Sequence, residues 1–552
     1  MKKQFALTFL LLIISFTLLA KSTTKLANKN RDWWNVLFYN ITIEPEIGNK
    51  FLNGSTQIHF KKKLKTKDYI LRLDLQYPMQ ISDISIQFIK PTATTSALSI
   101  SNELIVHKTN YYLVNLSAYK NEIDALETII TINYSGKPKI AENAPWQGGW
   151  VFNEDLNKNS FISVACQTNG ASLWYPCKDD WGDEPDFGAQ LNIIVPSNLV
   201  GIGNGKLISK KDLPNNKTNY SWRVNNPINP YNIVPYIGNY KNFSEVYKGK
   251  KGDLLLDFWV LEENLEKAKN HFKQVQSMLT CFEEKLGPYP FYEDSYKLVE
   301  APFVGMEHQS NIAYGNKFEN GYLGHDMSRT GLGLNWDYII VHESGHEWFG
   351  NSITGKKKSD MWIHESFTTY TEGIYTSCIN GKNAGDDYII GLRANIKNDS
   401  LILNENNLEQ EGSADMYSKG ANIIHTFKEV LNNETIFYNL LRHLTKTLHN
   451  KTITSKDFIN TINNFTKKNY TSFFNQYLKT TVIPRLLYKK LKNNIFMFRW
   501  DNNLKFQQKF PLKLTSGKWI YPSSSKWIYI SLKKDELFKI DKNFYIDLKL
   551  VE

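Results

Sequence analysis

From Trp33 to about Tyr247, apolar and polar residues alternate in short runs rich in β-branched and aromatic side chains. Asn40-Ile41-Thr42-Ile43-Glu44, Ser55-Thr56-Gln57-Ile58-His59-Phe60 and Thr128-Ile129-Ile130-Thr131-Ile132-Asn133-Tyr134 carry the period of half-buried strands. Asn53-Gly54, Ser135-Gly136 and Asn204-Gly205 supply turn signals between such runs. Together they predict a large antiparallel β domain. After Gly252 the period lengthens. Leu261 to Leu286 reads as one helix stopped by Gly287-Pro288, and helical patterns recur near 335–350, 360–379, 416–432 and 455–467. From Pro484 the strand pattern returns, as in Ile495-Phe496-Met497-Phe498-Arg499-Trp500 and Trp527-Ile528-Tyr529-Ile530-Ser531-Leu532. The fold class is therefore multidomain α+β. An N-terminal antiparallel β domain over 21–248 precedes a mainly helical domain with a small strand-rich start over 249–482. A small C-terminal β-sandwich follows over 483–552.

Length agrees with several domains, since 552 residues exceed one ordinary domain. A hydrophobic fraction of 41% provides ample core and argues against disorder. The net charge of +11 comes from lysines scattered through every segment, the densest runs being Lys61-Lys62-Lys63 and Lys356-Lys357-Lys358. Such scatter reads as a solvated surface, so no nucleic-acid partner is expected.

The N-terminus changes the picture more. Lys2-Lys3 precede an apolar run from Phe5 to Ala20, followed by Lys21-Ser22. A basic start, a short apolar middle and a small residue at its end describe a signal peptide over 1–20. The alternative is an uncleaved anchor. No later segment is apolar and long enough to span a membrane, so the expected location is exported, periplasmic or secreted. Cys166, Cys177, Cys281 and Cys378 form neither a disulfide framework nor a metal-binding spacing. Cys166 with Cys177 is the nearest pair, and buried free thiols are the alternative.

The chemistry concentrates at His342-Glu343-Ser344-Gly345-His346, an H-E-x-x-H pattern. On a helix, residues four apart share a face, so both imidazoles can reach one ion while Glu343 stands beside it. Trp336, Ile339, Ile340 and Phe349 supply the apolar residues of such a helix. A hydrolytic zinc site takes a third protein ligand and leaves one position open. Glu365, in the first turns of the next helical segment, is the candidate. A bound Zn2+, one per chain, lowers the pKa of water and polarises a carbonyl. Glu343 is placed to accept the proton and return it to a leaving amine.

With these residues in place, the chain resembles the M1 family of zinc aminopeptidases, gluzincins that include aminopeptidase N and leukotriene A4 hydrolase. Val341 to Asn351 is similar to the family's H-E-x-x-H-x-W-F-G-N run, and Trp362-Ile363-His364-Glu365-Ser366-Phe367 to its W-x-x-E-x-F segment after eighteen intervening residues. Val304-Gly305-Met306-Glu307-His308 resembles the G-x-M-E-N exopeptidase motif, with Val304 and His308 as departures. The resemblance implies that Glu307 binds the substrate's free α-amino group, beside Gly305 and Met306. Met416-Tyr417-Ser418-Lys419-Gly420 resembles the Y-x-K-G helix start, which implies Tyr417 as donor to the oxyanion. Gln167, in a stretch like Q-x(8)-P-C-x-D, is implied to contact the substrate N-terminus. Asn351 and Glu372 are candidates for orienting ligands, Glu372 on helical spacing alone.

The resemblance further implies a saddle-like N-terminal domain and a thermolysin-like catalytic domain, without the large C-terminal helical domain of many members, hence a more open cleft. The expected substrates are peptides with a free N-terminus, and the expected activity is that of an aminopeptidase. A thermolysin-type zinc endopeptidase and a catalytically inactive binding scaffold are the alternatives. Side-chain specificity and oligomeric state are not legible.

Overall fold

The computed structural model describes residues 30–551, so the leader assigned to 1–20 lies outside the described residues. Contacts divide the chain into two compact units, 1–154 with 160–238, and 155–159 with 239–552.

The first unit is built on an eight-stranded sheet ordered Lys206–Leu213, Lys217–Val224, Ala189–Pro196, Trp34–Glu46, Phe51–Lys62, Glu127–Gly136, Gln80–Ile89 and Leu98–Ser99. Along Glu127–Gly136 exposure alternates residue by residue, as a strand with one face on a core requires. The sheet is not wholly antiparallel, because Trp34–Glu46 pairs in parallel with Ala189–Pro196, Tyr39 opposite Ala189. Parallel pairing needs a long crossover, and the chain between these strands is long enough to build further sheets before returning. Asn53-Gly54 is not a turn. It lies within Phe51–Lys62, where a Cβ on Gly54 would come within 2.3 Å of the Tyr134 ring. Glycine is there to admit an aromatic ring from the neighbouring strand. Gly205, at φ +75°, does turn the chain between Val200–Ile202 and Lys206–Leu213.

The second unit opens with a five-stranded mixed sheet ordered Tyr240–Gly249, Gly252–Leu261, Tyr296–Glu300, Ile312–Tyr314 and Gly305–Met306. Tyr240–Gly249, placed by sequence at the end of the N-terminal domain, pairs along its whole length with Gly252–Leu261 and so belongs here. The helix expected over 261–286 is two, Leu265–His271 and Gln274–Leu286. At the break Phe272, with ψ near 0°, turns its ring into the core against Phe258 and Tyr314. A disulfide joins Cys281 on Gln274–Leu286 to Cys378 on Trp362–Asn380, whereas Cys166 and Cys177 are free and buried. Residues after Pro484 form a four-stranded sheet ordered Ile528–Ser531, Ile495–Trp500, Arg485–Lys490 and Asp547–Leu550, plus a short two-stranded one. They fall in the same compact unit as the helices. No helix among the described residues is long and apolar enough to cross a membrane.

Candidate active site

Asp337 starts the motif helix, Tyr338–Gly345. Its side chain accepts the Ile340 N–H at 3.1 Å and is itself held by the Tyr314 hydroxyl at 2.8 Å. Ile339, Ile340 and Val341 bury the helix all round, so its polar residues are inside too. His346 is the C-cap and keeps right-handed helical dihedrals, so the four-residue spacing brings its ring to 5.0 Å from that of His342.

Each imidazole is oriented from behind. His342 Nδ1 lies 2.7 Å from the Glu372 carboxylate, whose other oxygen accepts from the Tyr388 hydroxyl at 2.7 Å. His346 Nδ1 lies 3.0 Å from the Phe349 carbonyl. A carboxylate and a carbonyl only accept, so both rings donate from Nδ1, which leaves each Nε2 as the atom able to offer a lone pair to a cation. Gly350, at φ +130°, permits the close approach, since a Cβ there would meet His346 Nδ1 at 3.0 Å.

Glu365 is the fourth residue of the ligand helix, Trp362–Asn380. Its Oε2 lies 3.6 Å from His342 Nε2 and 3.4 Å from His346 Nε2. That oxygen is buried without a hydrogen-bond donor. Ligands about 2.0–2.2 Å from a tetrahedral zinc stand roughly 3.3–3.6 Å apart, so these separations are edges of such a polyhedron. Two oriented lone pairs, an orphaned carboxylate oxygen and this spacing fit zinc with one position open.

Glu343 stands beside this group. Burial raises its carboxyl above the usual range, opposed by His342 and His346 and reinforced by Glu307 and Glu365. Glu307 follows the short strand Gly305–Met306, which pairs with Ile312–Tyr314. Glu307, Glu343 and His346 each bring an atom within 4.8 Å of the others. Asn351 Nδ2 donates to the Glu307 carbonyl at 2.8 Å and to Glu347 at 3.2 Å. Glu347 is fixed in turn by the Tyr289 hydroxyl at 2.7 Å and the Ser310 N–H at 3.0 Å. Asn351 therefore holds the Glu307 backbone through its amide, while its own N–H donates to the His346 carbonyl at 3.0 Å.

Gly305 lies against the motif helix. A Cβ there would come within 2.8 Å of Ile339 and 3.0 Å of Glu343 Oε1. Gly305→Ala must displace one or the other, and overpacking of this kind costs about 1–3 kcal/mol. We expect it to lower kcat/KM by roughly tenfold with zinc retained, measured by steady-state kinetics and metal analysis.

Tyr417 sits between the turn Ala414–Met416 and the helix Ser418–Leu431, at φ −72°, ψ −83°. Its ring stacks 6.0 Å from the His342 ring, and Tyr338 stacks on the same imidazole at 5.1 Å. Burial and the carboxylates of Glu365, Glu307 and Glu343 hold its phenol well above the ordinary value, so it stays a donor. Met306 is buried next to Glu307. Gln167, just past Ser160–Ala165, lies in the first unit.

Profiles of the peptidase family M1 domain and the peptidase M1 N-terminal domain match residues 270–477 and 36–231 respectively. The chain belongs to peptidase family M1. Aminopeptidase N of Canis lupus familiaris is 23% identical to this M1 chain over 359 residues, 60% of this chain and 34% of that protein. Leukotriene A-4 hydrolase of Xenopus laevis is 22% identical over 54% of this chain and 48% of its own length. The chain thus spans from 29% to 48% of the length of these and similar curated relatives. Among solved structures, an M1 zinc metallopeptidase from Deinococcus radiodurans aligns with TM-score 0.65 at 16% identity, over 82% of this chain and 95% of its own. Aminopeptidase A of Legionella pneumophila aligns with TM-score 0.68 at 16% identity, over 91% of this chain and 56% of its own. At these identities the likeness is one of fold.

Three residues of this M1 site escape sequence reasoning. Tyr338 shares the motif helix with the ligands, and its stacking position four residues before His342 was readable as a same-face pair. Glu347 and Tyr388 act through partners far along the chain, and no local pattern marks them.

Proposed function

We propose that this chain is a zinc-dependent aminopeptidase that removes the first residue of peptides with a free N-terminus. The observation that carries this reading is the Glu307 carboxylate, held within 4.8 Å of Glu343 and His346 at the edge of the His2Glu group. A fixed carboxylate there attracts an ammonium and sets the first peptide bond over the reactive centre. Bound zinc supplies a polarised carbonyl and a water of lowered pKa. Glu343 takes the proton of the attacking water and passes it to the leaving amine. Tyr417 donates its hydroxyl to the oxyanion. Gln167 contacts the substrate N-terminus, and Met306 borders the first side chain, as the family resemblance implies. The same resemblance underlies a saddle-like N-terminal domain, a thermolysin-like catalytic domain and a C-terminal β-sandwich. The leader pattern and the Cys281–Cys378 bridge support an exported, periplasmic or secreted protein, because structural disulfides belong to oxidising compartments.

A panel of aminoacyl reporters and short peptides, with and without a chelator, tests the reading. We expect cleavage of unblocked peptides, loss with chelator, and return on adding zinc. Equal cleavage of N-acetylated peptides would favour an endopeptidase instead.

A further inference from the structure

We propose that Ser366 is a positioning residue that fixes Tyr417 relative to the metal ligands. Ser366 directly follows Glu365 on the ligand helix, and its hydroxyl donates to the Met416 carbonyl at 2.7 Å. That carbonyl belongs to the peptide that carries Tyr417, so one hydrogen bond ties a ligand's neighbour to the mount of the oxyanion donor.

The mount needs the tie. Tyr417 is the N-cap of Ser418–Leu431 but departs from helical dihedrals, and its side chain makes no cap hydrogen bond. The preceding turn is held on its other side, where the Asp415 carboxylate accepts the Lys397 and Asn398 N–H groups at 2.9 and 2.6 Å. Those bonds reach a different stretch of chain and leave the distance to the ligand helix unset. Ser366 sets it. The site is also shaped for this contact, because a Cβ on Gly420 would lie 2.0 Å from Ser366 Oγ and 2.6 Å from its Cβ. Glycine at 420, one helical turn past Met416, lets the two helices approach closely enough for the bond to form. Ser366 is fully buried, so water does not replace the bond.

The hydroxyl of Tyr417 stands at the far end of a ring whose base is this peptide, so a small rotation of the mount becomes a larger displacement at the oxygen. Oxyanion donors act only within about 2.7–3.1 Å of the developing charge. A misplacement of about 1 Å costs on the order of 10²-fold in rate. A partial shift, damped by the stack on His342, should cost about tenfold.

The inference rests on Tyr417 as oxyanion donor, and a double-mutant cycle on the zinc-loaded full chain separates the two claims. Ser366→Ala is expected to lower kcat by about tenfold with KM and zinc content unchanged, and Ser366→Gly to agree with it. In a Tyr417→Phe background, where no hydroxyl remains to be placed, Ser366→Ala should cost less than about twofold. Equal losses in both backgrounds would show that Ser366 acts through general packing and would overturn the inference while leaving Tyr417 in its role. A normal kcat for Ser366→Ala also overturns it. A normal kcat for Tyr417→Phe alone rejects the oxyanion assignment, and the inference falls with it.

Discussion

Replacing Glu343 with alanine is expected to leave zinc bound and to lower kcat by about 10²–10⁴-fold, the range for a positioned general acid–base group. The separation of the two effects follows from the site. The three ligand atoms belong to His342, His346 and Glu365, and both imidazoles are oriented by Glu372 and Phe349, so nothing that holds the metal is removed. Burial disfavours the charge of Glu343 in the folded chain, so its removal should not lower the melting temperature. What disappears is a carboxylate that stands beside His346 and Glu307 and outside the His342, His346 and Glu365 group. Equilibrium dialysis or metal analysis, thermal melting and steady-state kinetics on an unblocked peptide check the three parts separately. Near-normal turnover in the variant would move the base to another residue, and loss of zinc would make Glu343 a ligand.

The parts of this site legible in the sequence are those whose geometry is local. His342 and His346 meet because four residues make about one helical turn, and Glu365 is readable because a carboxylate early in the next helix can return to the same face. Glu372 follows from the same logic, seven residues and two turns along the ligand helix from Glu365, and it does hold His342 Nδ1. Asn351 shows the limit. Its place near the motif suggests a ligand-orienting role, and its N–H does bond the His346 carbonyl, but that its side-chain amide reaches the Glu307 carbonyl depends on how the backbone turns after His346. Tyr388 and Glu347 lie beyond it, because their partners are fixed by helix packing.

The fold divides the same way. The strands 34–46, 51–62 and 127–136 were visible in their period, but the parallel pairing of the first with 189–196 depends on where a long crossover returns. Asn53-Gly54 misled because a turn pair and a glycine beneath a tyrosine ring read alike until the neighbouring strand is known. Cysteine spacing failed for a related reason. A bridge needs Cα atoms about 4.4–6.8 Å apart. Cys281 and Cys378 stand 6.2 Å apart across 97 residues because two helices pack there. The helix Glu434–Thr447 was missed although its signals are local, with Asn433 as its cap and apolar residues at 436, 437, 440, 441 and 444.

Tyr417→Phe is expected to lower kcat by about 10²–10³-fold while changing KM little, as loss of a single oxyanion donor does. The substitution removes only the hydroxyl. The ring that stacks on His342 at 6.0 Å remains, so the packing around the ligand and the zinc content should be preserved. The hydroxyl is held well above its ordinary pKa by burial and by the carboxylates of Glu365, Glu307 and Glu343. Across the neutral range it is therefore a proton donor and not an anion. Those same carboxylates give a neutral donor an advantage here, because a charge-bearing oxyanion forming among them needs a partner that is not itself negative. The loss should therefore appear in kcat and stay uniform across substrates that differ in their first side chain, whereas a role in substrate recognition would raise KM and vary with the substrate. A panel of three or four aminoacyl reporters measured with the variant distinguishes the two. A drop below tenfold would assign the oxyanion to a different donor in the same unit.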